Sequence, residues 1–362
     1  MPETIVLIGT RKGLWIAQSA DRDTWDLTGP DELMAEVPSV AIDKRSGSPR
    51  LFAGTKHWHW GPQVRRSDDL GATWQSTPEG EVRFPEDTDS SLEAVWAIAP
   101  SASEPGVVWA GTEPSALFRS TDNGEHFEMV RSLWDHPHRE EWGAGFGGQA
   151  IHTVLPHPTD PSRVTVAMST GGVYRTFDGG ESWAPANTGI KAEFMPGDIQ
   201  YPEFGQCVHK VARSATEHDV LYAQNHGGVY RSDDAGEKWV SIADGLPSDF
   251  GFPVVAHPRV DGTLWLFPLA ASDGRFPVDG DCRVYRSRDR GDTWEELGKG
   301  LPDRSFYTGV MRDAMCVDDA DPVGVYFGSR DGTVFGSADE GDTWSVVAEH
   351  LPDVLSVRAA TL

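Results

Sequence analysis

Two histidines occupy equivalent positions in consecutive repeats of this sequence and are its best candidates for acid–base chemistry. His152 ends the segment Gln-Ala-Ile-His at 149–152, and His209 ends the segment Gln-Cys-Val-His at 206–209. An imidazole titrates near neutral pH, so it can take up or release a proton under physiological conditions. We therefore predict that His152 and His209 are catalytic and lie on neighbouring inner strands.

A second group of polar side chains is predicted to surround these histidines and to bind a ligand. Positive charge would hold a carboxylate and would also depress the pKa of the imidazoles, leaving them neutral at pH 7. The predicted ligand is small and anionic or sugar-like. The candidate binding residues are Arg11, Lys12, His57, His59, Asn225, His226 and Arg312, and Arg330 fills another turn of the same kind.

Glu113 and Asp313 are the candidate catalytic carboxylates. Glu113 falls in a turn, and Asp313 follows Arg312 on a predicted inner strand. Two carboxyl groups on either side of a glycosidic bond are what most glycosidases require. The sequence does not give the separation of these two groups, so it leaves the glycosidase hypothesis open.

Metal binding is a further alternative, although no cofactor is predicted. His57-x-His59 has ligand-like spacing on an extended strand if both side chains turn the same way. Cys207, Cys282 and Cys316 are too few and too scattered for a disulfide framework or a zinc knuckle.

The elements that position these residues come from a repeated turn, Ser/Thr-x-Asp-x-Gly-x-x-Trp. In the copy at 232–239, Ser232 and Asp234 can lock the turn with hydrogen bonds, and Gly236 can adopt positive φ without a Cβ penalty. The copies end 49 to 56 residues apart, at Trp25, Trp74, Phe127, Trp183, Trp239, Trp294 and Trp344. Seven copies at such a period indicate a repeat architecture.

This motif resembles the Asp-box, and the whole chain resembles the BNR/Asp-box β-propellers, a broad group that includes sialidases. The resemblance implies an all-β fold, a single seven-bladed propeller of four-stranded blades over residues 1–362. It does not extend to sialidase activity, because the Arg-Ile-Pro motif of that family is absent. Only Tyr201 and Tyr307 lie outside the repeat pattern as candidate nucleophiles.

The strand pattern predicts how the ring closes. Thr4–Gly9 aligns with the second strand of later units, so the first unit has no inner strand of its own at the N-terminus. Val354–Ala359 is an apolar, alternating segment that can supply it. We therefore expect the C-terminal strand to complete blade one and to remove the free sheet edges.

Long links between the predicted strands are expected to gather on one face, which would be the functional one. The long links are Lys56–Pro62, Glu79–Ser91, Arg131–Gly148, Asn187–Gly205 and Ala271–Asp281.

The net charge of the sequence limits the kinds of partner that it is expected to bind. A net charge of −25 disfavours nucleic acid. There is no apolar run long enough to cross a membrane and no basic-then-apolar leader, so a cytoplasmic protein without membrane association is expected.

Three functions follow as alternatives. The first is a glycosidase- or lyase-like enzyme on a small anionic or sugar-like substrate. The second is a histidine-bound metal site. The third is a non-catalytic propeller that binds a protein or cofactor partner. Its apolar recognition surface would be Trp58, Trp60, Trp134 and Trp142.

Overall fold

The computed structural model describes residues 3–76, 82–145, 148–270 and 274–362. Three predicted long links lie partly outside these ranges, at 79–81, 146–147 and 271–273.

The described residues form short strands separated by tight turns. Blade one begins with β1 (Thr4–Thr10), β2 (Gly13–Ser19) and β3 (Asp26–Asp31). Blade two contains β4 (Ala35–Asp43), β5 (Arg50–His57), β6 (Gly61–Ser67) and β7 (Gln75–Ser76). Blade three contains β8 (Ala94–Pro100), β9 (Val108–Glu113), β10 (Leu117–Ser120) and β11 (Glu128–Met129). Blade four contains β12 (Ile151–Pro156), β13 (Val164–Met168), β14 (Gly172–Thr176) and β15 (Ala184–Pro185).

The remaining blades repeat this order. Blade five contains β16 (Val208–Arg213), β17 (Leu221–Asn225), β18 (Val229–Ser232) and β19 (Val240–Ser241). Blade six contains β20 (Gly251–Ala256), β21 (Leu264–Pro268), β22 (Val284–Ser287) and β23 (Glu295–Leu297). Blade seven contains β24 (Val310–Val317), β25 (Val325–Ser329), β26 (Val334–Ser337) and β27 (Ser345–Ala348), and β28 (Val354–Thr361) ends the chain. Helix is confined to α1 (Arg131–Trp134) and to 3₁₀ turns at Glu86–Thr88, Arg139–Glu141 and Val278–Gly280 among the described residues.

The sheets are antiparallel and each blade has four strands. Five blades are separate four-stranded sheets, and blades seven and one join into one eight-stranded sheet. This is the seven-bladed β-propeller expected from the sequence. None of the described helices has the length and hydrophobicity needed to cross a membrane.

The C-terminal strand closes blade one, as predicted. β28 pairs antiparallel with β1, so that Thr4 faces Thr361 and Ile8 faces Val357. A single parallel contact, Asp313 opposite Ser356, links β28 to β24. β1 is buried along its full length, so it needs a strand on each side to satisfy its backbone hydrogen bonds.

The repeated turns share one bonding pattern. Ser232 Oγ donates to Asp234 Oδ1 over 2.7 Å, and the Gly236 amide donates to Ser232 Oγ over 2.8 Å. The Lys238 amide then donates to Asp234 Oδ1 over 2.9 Å. The same hydroxyl-to-carboxylate bond recurs at Ser19–Asp21, Ser67–Asp69, Ser120–Asp122, Thr176–Asp178, Ser287–Asp289 and Ser337–Asp339.

The chain divides into two compact units, each with its own apolar core. The first unit comprises residues 1–33, 188–201 and 209–362, and the second comprises residues 34–187 and 202–208. Phe267 and Phe327 lie in the core of the first unit, and their ring centroids are 5.2 Å apart. Phe84 and Phe118 lie in the core of the second, with centroids 5.3 Å apart.

Candidate functional site

His209 is a buried, neutral imidazole of the first unit. The residue is 3% exposed, and its Nδ1 lies 2.6 Å from the carbonyl oxygen of Gly251. Because a carbonyl can only accept, Nδ1 carries the proton and Nε2 is left as the basic nitrogen. Burial, followed by the positive charge of Arg312, lowers the pKa of His209 to about 3. The charge effect expected from the sequence is present, but burial is the larger cause.

Aromatic rings enclose the His209 side chain. The imidazole stacks on Phe252 with centroids 4.6 Å apart, and it meets His226 edge-on at 5.4 Å. Burial, with the charge of Arg275 in support, lowers the pKa of His226. Two neutral imidazoles therefore lie side by side at the start of β16 and in the turn after β17.

Asn225 holds the turn that carries His226. The residue is buried, and its amide nitrogen donates to the carbonyl oxygens of Lys191 over 2.9 Å and Gly227 over 3.1 Å. These bonds fix the β17–β18 turn. Its predicted contact with a ligand stays a prediction.

Asp313 lies in a buried ion-pair network. Its Oδ1 accepts from Lys210 Nζ over 2.6 Å and from Arg358 Nη2 over 2.8 Å. Burial opposes ionisation, but the charges of Lys210 and Arg358 outweigh it and the pKa of Asp313 is lowered. An ionised carboxylate neutralised by two cations is poorly suited to give a proton to a leaving group.

Arg312 precedes Asp313 on β24 and is also buried. Its positive charge acts on both His209 and Lys210. Among the predicted residues, His209, His226 and Arg312 thus belong to one electrostatic environment.

The predicted catalytic residues of the second unit have other partners. His152 is fully buried, with Nε2 2.9 Å from the Val208 carbonyl oxygen and Nδ1 3.1 Å from Thr153 Oγ1. Glu113 is half-buried, and its Oε2 accepts from Trp96 Nε1 over 2.9 Å. Their catalytic roles stay predictions.

His57 is the last residue of β5 and is partly exposed, and His59 lies in the exposed turn that leads to β6. The backbone amides of His59 and Trp60 each donate to His57 Nδ1 over 3.1 Å. Nδ1 is therefore the acceptor and Nε2 carries the proton in the neutral ring. In this tautomer the lone pair that could bind a metal is on Nδ1, and the two backbone amides already occupy it. The arrangement disfavours a His57-x-His59 metal site.

The predicted tryptophan surface is smaller than expected. Trp58 and Trp60 are exposed at 74% and 70%, but Trp134 and Trp142 are buried in apolar cores of the second unit. The assignment of Trp134 and Trp142 to a recognition surface was wrong because the loop that carries them folds back onto Phe84 and Tyr174.

A pocket of about 420 Å³ opens in the first unit, which we call the Arg330 pocket. Its lining residues are Phe252, Gly274, Arg275, Tyr307, Thr308, Gly309, Met311, Arg330 and Asp353. Phe252 also stacks on His209, so the His209 cluster lies next to this pocket.

Charged and aromatic side chains both line this pocket. The Arg330 guanidinium contacts Asp353 over 3.0 Å, and that of Arg275 lies 5.6 Å from the centre of the Phe252 ring. Tyr307 is 66% exposed, and its ring meets Phe276 edge-on at 5.3 Å.

Arg11 and Lys12 form the exposed turn between β1 and β2. Arg11 Nε lies 3.5 Å from Asp353 Oδ2, which connects this turn to the pocket. The Lys12 amide donates to Thr10 Oγ1 over 3.1 Å, and its side chain is exposed.

Sequence reasoning missed Phe252, Arg275 and Asp353 as lining residues. The available signal for Arg275 was the long link Ala271–Asp281. In the sequence, Tyr307 was noted only because it lies outside the repeat pattern. Arg330 was noted only because it is a positively charged residue in a turn.

Comparison with known proteins identifies carbohydrate-active relatives at low identity. The chain is 29% identical over 265 residues to a xyloglucanase of Acetivibrio thermocellus, covering 64% of this chain and 30% of that protein. It is also 29% identical over 162 residues to a xyloglucanase of a Paenibacillus species, covering 42% of this chain and 14% of that protein. The chain spans less than a third of the length of these relatives. No protein-family model matches the chain.

Among solved structures, YCF48 bound to a D1 peptide aligns with a TM-score of 0.56 at 15% identity, covering 86% of this chain and 81% of that one. At this identity the likeness concerns the fold alone. The chain is a β-propeller with sequence similarity to glycoside hydrolases.

Proposed function

We propose that this chain is a glycosidase-like propeller that binds a small anionic saccharide, such as a uronic acid or a sugar phosphate, in the Arg330 pocket. The observation that carries the proposal is that two guanidinium groups, of Arg275 and Arg330, and the aromatic ring of Tyr307 line one open pocket. Similarity to two xyloglucanases supports a saccharide over other small anions.

The lining suits both halves of such a ligand. Arg330 can hold a carboxylate or phosphate through two parallel hydrogen bonds. Tyr307 offers an exposed ring on which the apolar face of a sugar can pack. The volume of about 420 Å³ falls within the range of small-molecule sites, about 300–1,000 Å³.

We place recognition ahead of hydrolysis. A glycosidase acid needs a carboxyl group with a raised pKa. At the predicted catalytic residue Asp313, burial opposes ionisation, but the charges of Lys210 and Arg358 outweigh it and the pKa is lowered. Glycoside hydrolysis is therefore the activity to assay once a bound saccharide is known.

Titration calorimetry with glucuronate, glucose and inorganic phosphate tests the proposal. We expect the wild type to bind glucuronate more tightly than glucose, and Arg330→Ala to weaken glucuronate binding at least about tenfold, the loss of a charge-assisted hydrogen bond. Arg259→Ala is the matched control. Its side chain is 42% exposed against 41% for Arg330, but it bonds to the Asp319 carbonyl in the same unit.

Equal affinities for glucuronate and glucose would refute the role of the guanidinium groups. Equal losses in Arg330→Ala and Arg259→Ala would show that general positive charge, not the pocket, attracts the anion.

Peptide binding is the second candidate, favoured by the exposed indoles of Trp58 and Trp60. The YCF48 structure shows that a propeller of related fold was solved with a peptide. A peptide array can be probed with the wild type and with the double variant Trp58→Ser/Trp60→Ser. If this turn is the recognition surface, the peptides that bind the wild type should not bind the variant.

Three narrower statements stay proposals. The hydroxyl-to-carboxylate bond shared by seven turns, six from Ser and one from Thr, supports membership of the Asp-box repeat proteins. That residues 1–362 act as a single domain and that the protein is cytoplasmic remain predictions.

A further inference from the structure

Asp353 brings a negative charge to a pocket otherwise suited to anions. It lies directly before β28, and its Oδ2 is 3.0 Å from Arg330 Nη2 and 3.5 Å from Arg11 Nε. The Asp353 carbonyl oxygen also accepts from the Arg11 amide over 3.0 Å. This bond fixes the main chain of Asp353 at the pocket wall.

The Asp353 carboxylate has the same chemistry as the ligand group proposed above. Asp353 uses Nη2 of Arg330, which is one of the donors that a uronic acid or a phosphate would need for a two-bond contact. Both side chains are partly exposed, so solvent and a ligand can reach the pair. A bound anion would have to share Arg330 with Asp353 or displace it, and would also meet its like charge.

We propose that Asp353 is an internal competitor for Arg330 that limits the affinity of the pocket for anions and so sets its charge selectivity. The inference rests on the proposed function of the Arg330 pocket. Neutral sugars do not use the Arg330 charge, so Asp353 lowers the preference for an anionic over a neutral saccharide. Specificity set by a repulsive element of this kind is a general feature of binding sites.

Asp353→Asn tests the inference, because it removes the charge and keeps the shape. We expect glucuronate and inorganic phosphate to bind about two- to fivefold more tightly, the range for loss of one partly exposed ion pair. Glucose binding should not change. The gain should shrink as salt is raised, because added ions screen partly exposed charges.

Asp233→Asn is the matched control for net charge. Asp233 pairs with Arg231 over 3.2 Å on the β18–β19 turn of the same unit, and it does not line the pocket. It should leave glucuronate affinity unchanged. A melting curve verifies the fold of each variant, and Asp353→Ser replaces Asp353→Asn if the amide disturbs the closing strand.

The outcomes separate this inference from the proposed function. If the wild type binds glucuronate, Arg330→Ala weakens it and Asp353→Asn leaves it unchanged or weaker, the competitor role is overturned and the pocket stands. If neither the wild type nor Asp353→Asn binds glucuronate or phosphate, both are overturned. Equal tightening by Asp353→Asn and Asp233→Asn would also overturn the inference, because bulk charge would then explain it.

Discussion

Acidification should destabilise this protein through His209. In the unfolded chain, a histidine has a pKa of about 6.5. In the folded state, burial and the charge of Arg312 lower the pKa of His209 to about 3. Between these values the unfolded state binds a proton that the folded state does not, so stability rises with pH. The contribution is fully present above pH 6.5 and is lost progressively as the pH falls toward 3. Between pH 7.5 and pH 5 the free energy of unfolding should fall by about 2 kcal/mol.

A comparison with His209→Gln isolates this effect. The glutamine amide can still donate to the Gly251 carbonyl but does not titrate. Urea unfolding, followed by tryptophan fluorescence at pH 7.5 and pH 5, gives the pH effect for each protein. Burial also lowers the pKa of His136 and His257, but these groups are common to both proteins and cancel in the difference.

The wild type should therefore lose about 2 kcal/mol more than His209→Gln over this pH interval. The absolute stability of the variant does not matter, since only its dependence on pH is compared. Parallel pH profiles would refute the reasoning, because they would mean that the folded protein accepts a proton on His209 as readily as the unfolded chain does.

Three structural predictions accompany it. Deleting residues 353–362 removes the strand that pairs with β1, so cooperative melting of soluble protein should be lost; an unchanged melting transition would contradict closure. Asp234→Ala should cost about 1–2 kcal/mol in urea unfolding by removing a turn acceptor, with no change in glucuronate affinity. Gly332→Ala should cost about 2 kcal/mol or more, because its φ is +88° and a Cβ would clash with the Leu351 carbonyl oxygen. Gly47→Ala, with nothing within 4 Å of its Cβ, should not change the melting transition in the same assay.

The fold could be predicted because each repeat carries its own turn and its own alternating strands. The expected closing strand, Val354–Ala359, is observed as Val354–Thr361, two residues longer. The extension follows from pairing that local pattern does not reveal, since Ala360 faces Ile5 and Thr361 faces Thr4.

Outer strands are harder to predict than inner ones. The last strand of blade five contains only Val240–Ser241. These residues bond to a single neighbour, β18, and are exposed. An edge strand is held by fewer contacts than a buried one, so its length depends on twist and solvent and not on apolar alternation.

The site was harder to predict because its residues come from distant turns. The strand position of His209 could be predicted from its place in a repeat, and the direction of its pKa shift from nearby positive charge, although burial is the larger cause. Asp353 could not, since it precedes the closing strand and meets Arg11 and Arg330 only after the C-terminus returns to β1. The ion pairs that Asp353 makes across this closure leave no short-range pattern in the chain.

Asp313 illustrates why residue type alone does not define the chemistry of a buried position. A carboxylate near histidines suggested acid–base work, yet Lys210 and Arg358 hold it ionised. Such a group links β16, β24 and β28 by charge, and breaking a buried pair is costly because an uncompensated charge remains. The polar residues of the first unit therefore divide by burial. The buried ion-pair network ties strands together, whereas the partly exposed cations of the Arg330 pocket remain accessible to a ligand.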